Sequence, residues 1–99
     1  MAKQGPPNEL AEGDLPFISV VVPVRNGADM ISDCIESILS CEYPPDRHEV
    51  LVVDNASTDA TADVVSRHPV RLLSEPQRGV SFARNRGIAE GRGDVFAFI

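Results

Sequence analysis

A chain of 99 residues with a net charge of −6 and a pI near 4.7 lacks the basic surface that draws a protein non-specifically to nucleic acid or an anionic membrane. One domain is expected, burying roughly two-thirds of the surface its unfolded chain exposes. With 42% apolar and 24% charged residues the composition is that of a soluble globular domain, so affinity for a phosphate-bearing ligand has to come from a local feature.

Residues 1–15 contain Gly5, Pro6, Pro7, Asn8 and several acids with almost nothing apolar. They cannot offset their ordering entropy by burial and are expected to form a disordered tail ahead of a domain spanning 16–99. They also lack the apolar core of a signal peptide, and no stretch is long enough for a transmembrane helix, so the expected compartment is the cytoplasm. The first strand is Phe17 to Val22, running into Pro23, Val24, Arg25, Asn26 and Gly27. Met30, Ile31, Cys34, Ile35, Ile38 and Leu39 then recur at helical spacing as one apolar stripe, with Asp33, Glu36 and Ser37 on the other face. Cys34 and Cys41 lie roughly 10 Å apart along that helix, beyond disulfide reach, and are expected as free thiols, Cys34 packing on the core.

Tyr43, Pro44 and Pro45 end the helix. The run Val50 to Val53 reads as a strand buried on both faces and leads into Asp54, Asn55, Ala56 and Ser57. Ser57, Thr58 and Asp59 offer caps for a second helix to about Arg67. Val70 to Leu73 forms a third strand, Gly79 and Ser81 open a third helix ending near Gly91, and Asp94 to Ile99 forms a fourth strand. Each interval has room for a right-handed crossover, so the class is α/β, with a parallel sheet of about four strands in the order 3-2-1-4 and flanking helices.

In such a sheet the carboxyl ends of the strands share one edge, where ligands bind. Asn26, Asp54, Asn55 and the Glu75 to Gly79 loop reach it. Asp54 can accept hydrogen bonds from ribose hydroxyls or a base imino group, and Asn55 can both donate and accept at a base edge. Four arginines, Arg78, Arg84, Arg86 and Arg92, fall close together, and Arg84 is the candidate for a diphosphate. Plainer roles compete. Ser57 and Asp59 read better as helix caps, Asn85 is balanced between ligand and loop brace, and Asp94 reads as a turn cap. His48 and His68 have no metal-ligand spacing. The turn after the first strand offers only Gly27 and no GxGxxG, which counts against a dinucleotide-dependent oxidoreductase.

The succession SVVVPVRNG, EVLVVDNASTDAT, RGVSFARNRGI and GRGDVFAFI resembles the amino-terminal half of a family 2 glycosyltransferase over Phe17 to Ile99. The resemblance implies a Rossmann-like GT-A half-domain that binds a nucleotide-diphospho-sugar for an inverting transfer to an acceptor. It places Pro23, Val24, Arg25 and Asn26 along the nucleotide, Asp54 and Asn55 near base and ribose, and Gly79, Arg84 and Asn85 toward the diphosphate. Arg25 departs from the aromatic residue common at its position, and Asn55 stands in place of a second Asp. The family's divalent cation, Mg²⁺ or Mn²⁺, is held by a DxD-type motif after the fourth strand, absent from this sequence. The chain alone is therefore expected to bind the donor without transferring sugar, as a truncated domain whose longer form sits peripherally at the inner membrane. A non-catalytic α/β interaction module with a vestigial crevice is the alternative. No nucleic acid partner is expected, whereas the apolar edge of the fourth strand invites self-association.

Overall fold

The computed structural model describes residues 15–99. The tail expected over residues 1–15 lies, apart from Leu15, outside the described residues. The elements in order are β1 (Ile18–Val24), α1 (Ile31–Leu39), a 3-10 turn (Pro45–Arg47), β2 (His48–Asp54), α2 (Thr61–Val65), β3 (Arg71–Ser74), α3 (Val80–Glu90) and β4 (Val95–Phe98). All pairings are parallel and the order is β3-β2-β1-β4, the arrangement the sequence predicts.

Strand β2 lies inside the sheet because Val50, Leu51, Val52 and Val53 leave no polar face for water. On one face Val22, Val50 and Val52 pack with Ile31, Ile35 and Ile38 of α1 and Val65 of α2. On the other, Val21 and Val53 meet Ala83 of α3. The third helix lies close enough that a Cβ on Gly87 would come within 2.4 Å of Val21 Cγ1, so a small residue at this point lets the layers meet. Two crossovers thus cover one face and the third covers the opposite one, which brings the start of α3 to the same sheet edge as the ends of β1 and β2. Among the described residues no helix is long and apolar enough to cross a membrane.

The predicted apolar stripe of α1 is shorter than its spacing suggests. Met30 is 73% exposed because it sits in the turn before the helix, and Leu39 is exposed at its last position. Cys34 is half-buried against the core, and Cys34 and Cys41 are both free thiols. Strand β3 starts one residue later than expected, at Arg71, and α2 ends at Val65 rather than near Arg67.

At the amino edge, Glu49 is a buried carboxylate. It accepts hydrogen bonds from Ser19 Oγ (2.7 Å), the Arg92 amide (2.7 Å) and Arg71 Nη1 (3.0 Å), with Arg92 Nε at 3.6 Å. Burial pushes its pKa up, but the hydrogen bonds from the Arg92 amide, Ser19 and Arg71, together with the Arg71 charge, hold it below the ordinary glutamate value. Ser19 Oγ also accepts from the Gly93 amide at 2.8 Å, and Asp94 Oδ2 accepts from the Phe17 amide at 3.2 Å. These contacts fix the approach of β4 to β1, with Asp94 in the capping position that its sequence context predicts.

Candidate functional site

The carboxyl edge is built from aligned strand ends: Val24 pairs with Asp54 and Asp54 with Ser74. The alignment continues one residue further. The Asn55 amide donates to Val24 O at 2.7 Å and the Glu75 amide to Asp54 O at 2.9 Å.

The loop after β1 and the loop after β2 brace each other through side chains. Asn26 takes a left-handed backbone conformation (φ 54°), which asparagine tolerates better than most residues. Its amide donates to Ser57 Oγ at 2.8 Å, and its Oδ1 accepts from the Thr58 amide at 2.7 Å and from the Thr58 hydroxyl at 3.3 Å. The Gly27 amide donates to Thr61 Oγ1 at 3.0 Å and the Ala28 amide to Asp59 Oδ2 at 3.2 Å. Asp59 Oδ1 accepts from the Thr61 amide and hydroxyl. The Thr61 hydroxyl above all, aided by the amides of Thr61 and Ala28, holds the Asp59 carboxyl below its ordinary value against a smaller opposing effect of burial. Ser57 and Asp59 are therefore structural, as expected, but as ties between two loops. The residue ahead of α2 is Ala60, and no side-chain cap is made there.

Between these loops and the start of α3 lies an open cleft of about 630 Å³, lined by Pro23, Val24, Arg25, Asn55, Arg78, Gly79 and Val80. Five of the nine residues singled out in the sequence lie here: Pro23, Val24, Arg25, Asn55 and Gly79. The other four take different places. Asp54 ends β2 behind Asn55, with Oδ1 accepting from the Ser57 amide at 3.3 Å. Asn26 is outside the lining, and its side-chain oxygen is engaged with Thr58. Arg84 lies with its guanidinium 5.8 Å from the centroid of the Phe98 ring, at the end of β4, and Asn85 is exposed beyond the first turn of α3. Asn55, expected as a reader of a base edge, is turned inward. Its Nδ2 donates to Glu75 O (3.0 Å) and Gln77 O (2.7 Å), and its Oδ1 accepts from the Gly79 amide (2.9 Å).

The lining is completed by Arg78, one of the four clustered arginines and part of the Glu75 to Gly79 loop expected at this edge, and by Val80. The signal for Arg78 is its place before Gly79, whose φ of 140° side chains rarely adopt and which turns the chain into α3. The cleft's charge follows from pairing elsewhere. Arg71, Arg86 and Arg92 each face a carboxylate on Glu49, Glu75 or Glu90, whereas Arg25 and Arg78 are exposed and have no carboxylate within 4.0 Å among the described residues. The first backbone bond of α3 runs from the Ala83 amide to Gly79 O at 3.2 Å, so the amides of Val80 to Phe82 are not used inside the helix. Two unneutralised guanidinium groups and a helix start favour an anion.

The described residues hold no group of three or more His, Cys, Asp or Glu side chains able to hold a metal ion. They do not by themselves fit the divalent cation that the resemblance implies.

A family model described as glycosyl transferase family 2 matches residues 19–99. Glycosyltransferase AglE of Haloferax volcanii is 38% identical over 91 residues, covering 86% of this chain and 30% of that protein. The mannosyltransferase of Pyrobaculum calidifontis, solved in complex with GDP-Man and Mn²⁺, has a TM-score of 0.78 at 35% identity, covering 91% of this chain and 29% of that one. The glucosyl-3-phosphoglycerate synthase of Mycobacterium tuberculosis, solved with Mn²⁺, UDP and phosphoglyceric acid, has a TM-score of 0.73 at 28% identity, covering 89% of this chain and 34% of that one. The chain thus spans about a third or less of the length of these proteins. With its parallel sheet, strand order and matched residues 19–99, the chain belongs to glycosyl transferase family 2 and has the fold of the GT-A glycosyltransferases.

Proposed function

We propose that these residues bind the nucleotide part of a nucleotide-diphospho-sugar donor for an inverting sugar transfer to an acceptor. The observation that carries this reading is the pair of unneutralised guanidinium groups, Arg25 and Arg78, in one cleft with the start of α3. In this assignment the diphosphate lies at Arg78 and the first amides of α3. Pro23, Val24 and Val80 give the base an apolar wall, with Arg25 across its face or edge. Asp54 offers its remaining carboxylate oxygen to a ribose hydroxyl or base imino group. Arg84 and Asn85, nearer the end of β4, would act further along the donor. Solved relatives bound to GDP-Man or UDP with Mn²⁺ support a divalent cation for the whole enzyme. Its ligands, the acceptor site and the base that takes the acceptor proton are assigned to the remainder of a longer protein, so these 99 residues bind but do not turn over.

Titration of the chain with UDP, GDP and dTDP, followed by amide chemical shifts, tests this. The expected dissociation constant is on the order of millimolar. Shifts should cluster at Arg25, Asp54, Arg78 and Val80, and Asp54→Ala should weaken binding without unfolding the domain. No shift there at saturating nucleotide would remove the assignment, and sugar transfer by the chain itself would overturn the division of labour.

One observation favours a second reading, an interaction module. Among the described residues strand β4 pairs only with β1, and Val95, Phe98 and Ile99 are 46%, 41% and 61% exposed beside its open edge. Ala97 of β4 and Ile99 after it join Ile18, Val20 and Ile38 along a groove of about 240 Å³. A second copy pairing edge to edge would satisfy both backbone and apolar surface. Sedimentation over a concentration series is expected to give a dimer that Phe98→Lys dissociates. A monomer throughout, or a dimer indifferent to that change, would exclude this edge.

A further inference from the structure

The turn that carries Arg25 into the cleft is pinned at both ends by backbone bonds. At its start Val24 O accepts from the Asn55 amide at 2.7 Å, and at its end Gly27 O accepts from the amides of Met30 (3.0 Å) and Ile31 (2.9 Å), where α1 begins. Arg25 and Asn26 lie between these points, and Arg25 is exposed with no carboxylate within 4.0 Å among the described residues. Where its long side chain reaches therefore depends on the backbone beneath it. Asn26 holds the middle of the turn. It is left-handed at φ 54°, its Oδ1 accepts from the Thr58 amide (2.7 Å) and hydroxyl (3.3 Å), and its amide donates to Ser57 Oγ at 2.8 Å. The next two amides, of Gly27 and Ala28, donate to Thr61 Oγ1 and Asp59 Oδ2. Three consecutive amides are thus engaged by the loop after β2, and of residues 25–28 Arg25 is the one that lines the cleft. The facing loop is itself strained: Ala56 is left-handed at φ 59°, a conformation disfavoured for alanine that persists where neighbours over-determine it. Ser57 and Thr58, both tied to Asn26, follow it directly.

We infer that Asn26 is a positioning residue that acts through Arg25: its ties to Ser57 and Thr58 fix the turn between Val24 and Gly27 and so hold Arg25 over the cleft. The inference rests on the donor-binding reading above, in which Arg25 meets the nucleotide. A turn fixed in advance spares the ligand the cost of ordering it, and a turn released from the facing loop lowers the fraction of molecules ready to bind, with affinity falling by the same factor. The role has a distinct signature. Because Asn26 works by placing Arg25, its contribution to binding disappears when the Arg25 side chain is removed.

Asn26→Gly keeps the left-handed backbone and removes the side chain, and Ser57→Ala breaks a tie from the facing loop. With UDP and GDP as probes, each variant is expected to bind about threefold more weakly than wild type, and Arg25→Ala about fivefold. Added to Arg25→Ala, neither should change the affinity by more than about 1.5-fold, because the group they position is gone. In the ligand-free wild type the Thr58 amide should exchange slowly with solvent and the backbone of Arg25 should be as ordered as β1, and Asn26→Gly should lower both the protection and the order. Wild-type affinity or unchanged order at Arg25 in Asn26→Gly overturns the inference. So does an equal loss with and without the Arg25 side chain, since Asn26 would then touch the ligand or support the cleft as a whole. Absence of binding by the wild type overturns the donor reading instead, and the order at Arg25 with and without the Asn26 side chain then decides the positioning assignment alone. Should neither variant fold, the wild type decides: an Arg25 backbone as mobile as a free chain end overturns positioning, and one as ordered as β1 with a protected Thr58 amide supports it.

Discussion

Replacing Glu49 with alanine is expected to remove about 2–4 kcal/mol of stability, as loss of one partner of a buried ion pair and its hydrogen bonds does. Its side chain is 7% exposed and holds together Ser19 of β1, Arg71 of β3 and the loop at Arg92 that leads into β4. The cost falls toward the lower end to the extent that Arg71, 39% exposed, regains water. Set against the roughly 5–15 kcal/mol that holds a domain folded, this is a large fraction. The pH dependence has a definite sign. Because the folded pKa lies below the unfolded value near 4.5, the contribution is fully present above that value and is lost as pH falls through the folded pKa. Denaturant melts from neutral pH to below 4.5 should therefore converge for wild type and Glu49→Gln, with the gap widest at neutral pH. A gap that stays constant on acidification would show that shape rather than charge is what Glu49 supplies.

The parts of this fold that depend on burial were legible in the sequence. Val50 to Val53 allow no solvent face, which puts β2 inside the sheet, and strand and helix lengths then dictate parallel crossovers and the order of the strands. The side-chain partners were not legible, because they come from elements joined only by the crossovers. Glu49 looks like an ordinary acid at a strand start, yet its partners come from 22, 30 and 43 residues away. Asn26 and Asn55 sit where the ligand edge is expected, but Thr58 engages the Asn26 side-chain oxygen and the 75–79 loop engages the whole Asn55 amide. Arg84, the candidate for a diphosphate in the sequence, and Arg78 meet the same limitation. Six residues apart, they are equivalent by composition, and they differ in place: Arg78 lines the cleft, whereas Arg84 lies beside Phe98.

Arg78→Ala is expected to weaken UDP and GDP binding about tenfold or more, since a hydrogen bond to a charged group contributes roughly 1.5–3 kcal/mol. The protein carries −6, so a nucleoside diphosphate approaches an adverse net field that only local cations reverse. In this assignment Arg25 and Arg78 supply that reversal in the cleft: Arg86 faces Glu75 and Glu90, Arg84 lies over Phe98 outside the cleft lining, and Arg71 and Arg92 face Glu49 at the opposite edge of the sheet. Arg67→Ala, an exposed change on the α2 side, removes the same unit of charge and is the control for the net field. It should cost little, as should Arg84→Ala, whose guanidinium lies over Phe98 outside the cleft lining. Arg78→Lys should recover part of the affinity, because an ammonium keeps the charge and loses the forked geometry that suits a diphosphate. The salt dependence is a second readout: affinity for UDP should fall less steeply with ionic strength in Arg78→Ala than in wild type, since one screened attraction has been removed. If Arg84→Ala instead carried the loss and Arg78→Ala matched the Arg67 control, the diphosphate would belong at the end of β4 rather than at the start of α3.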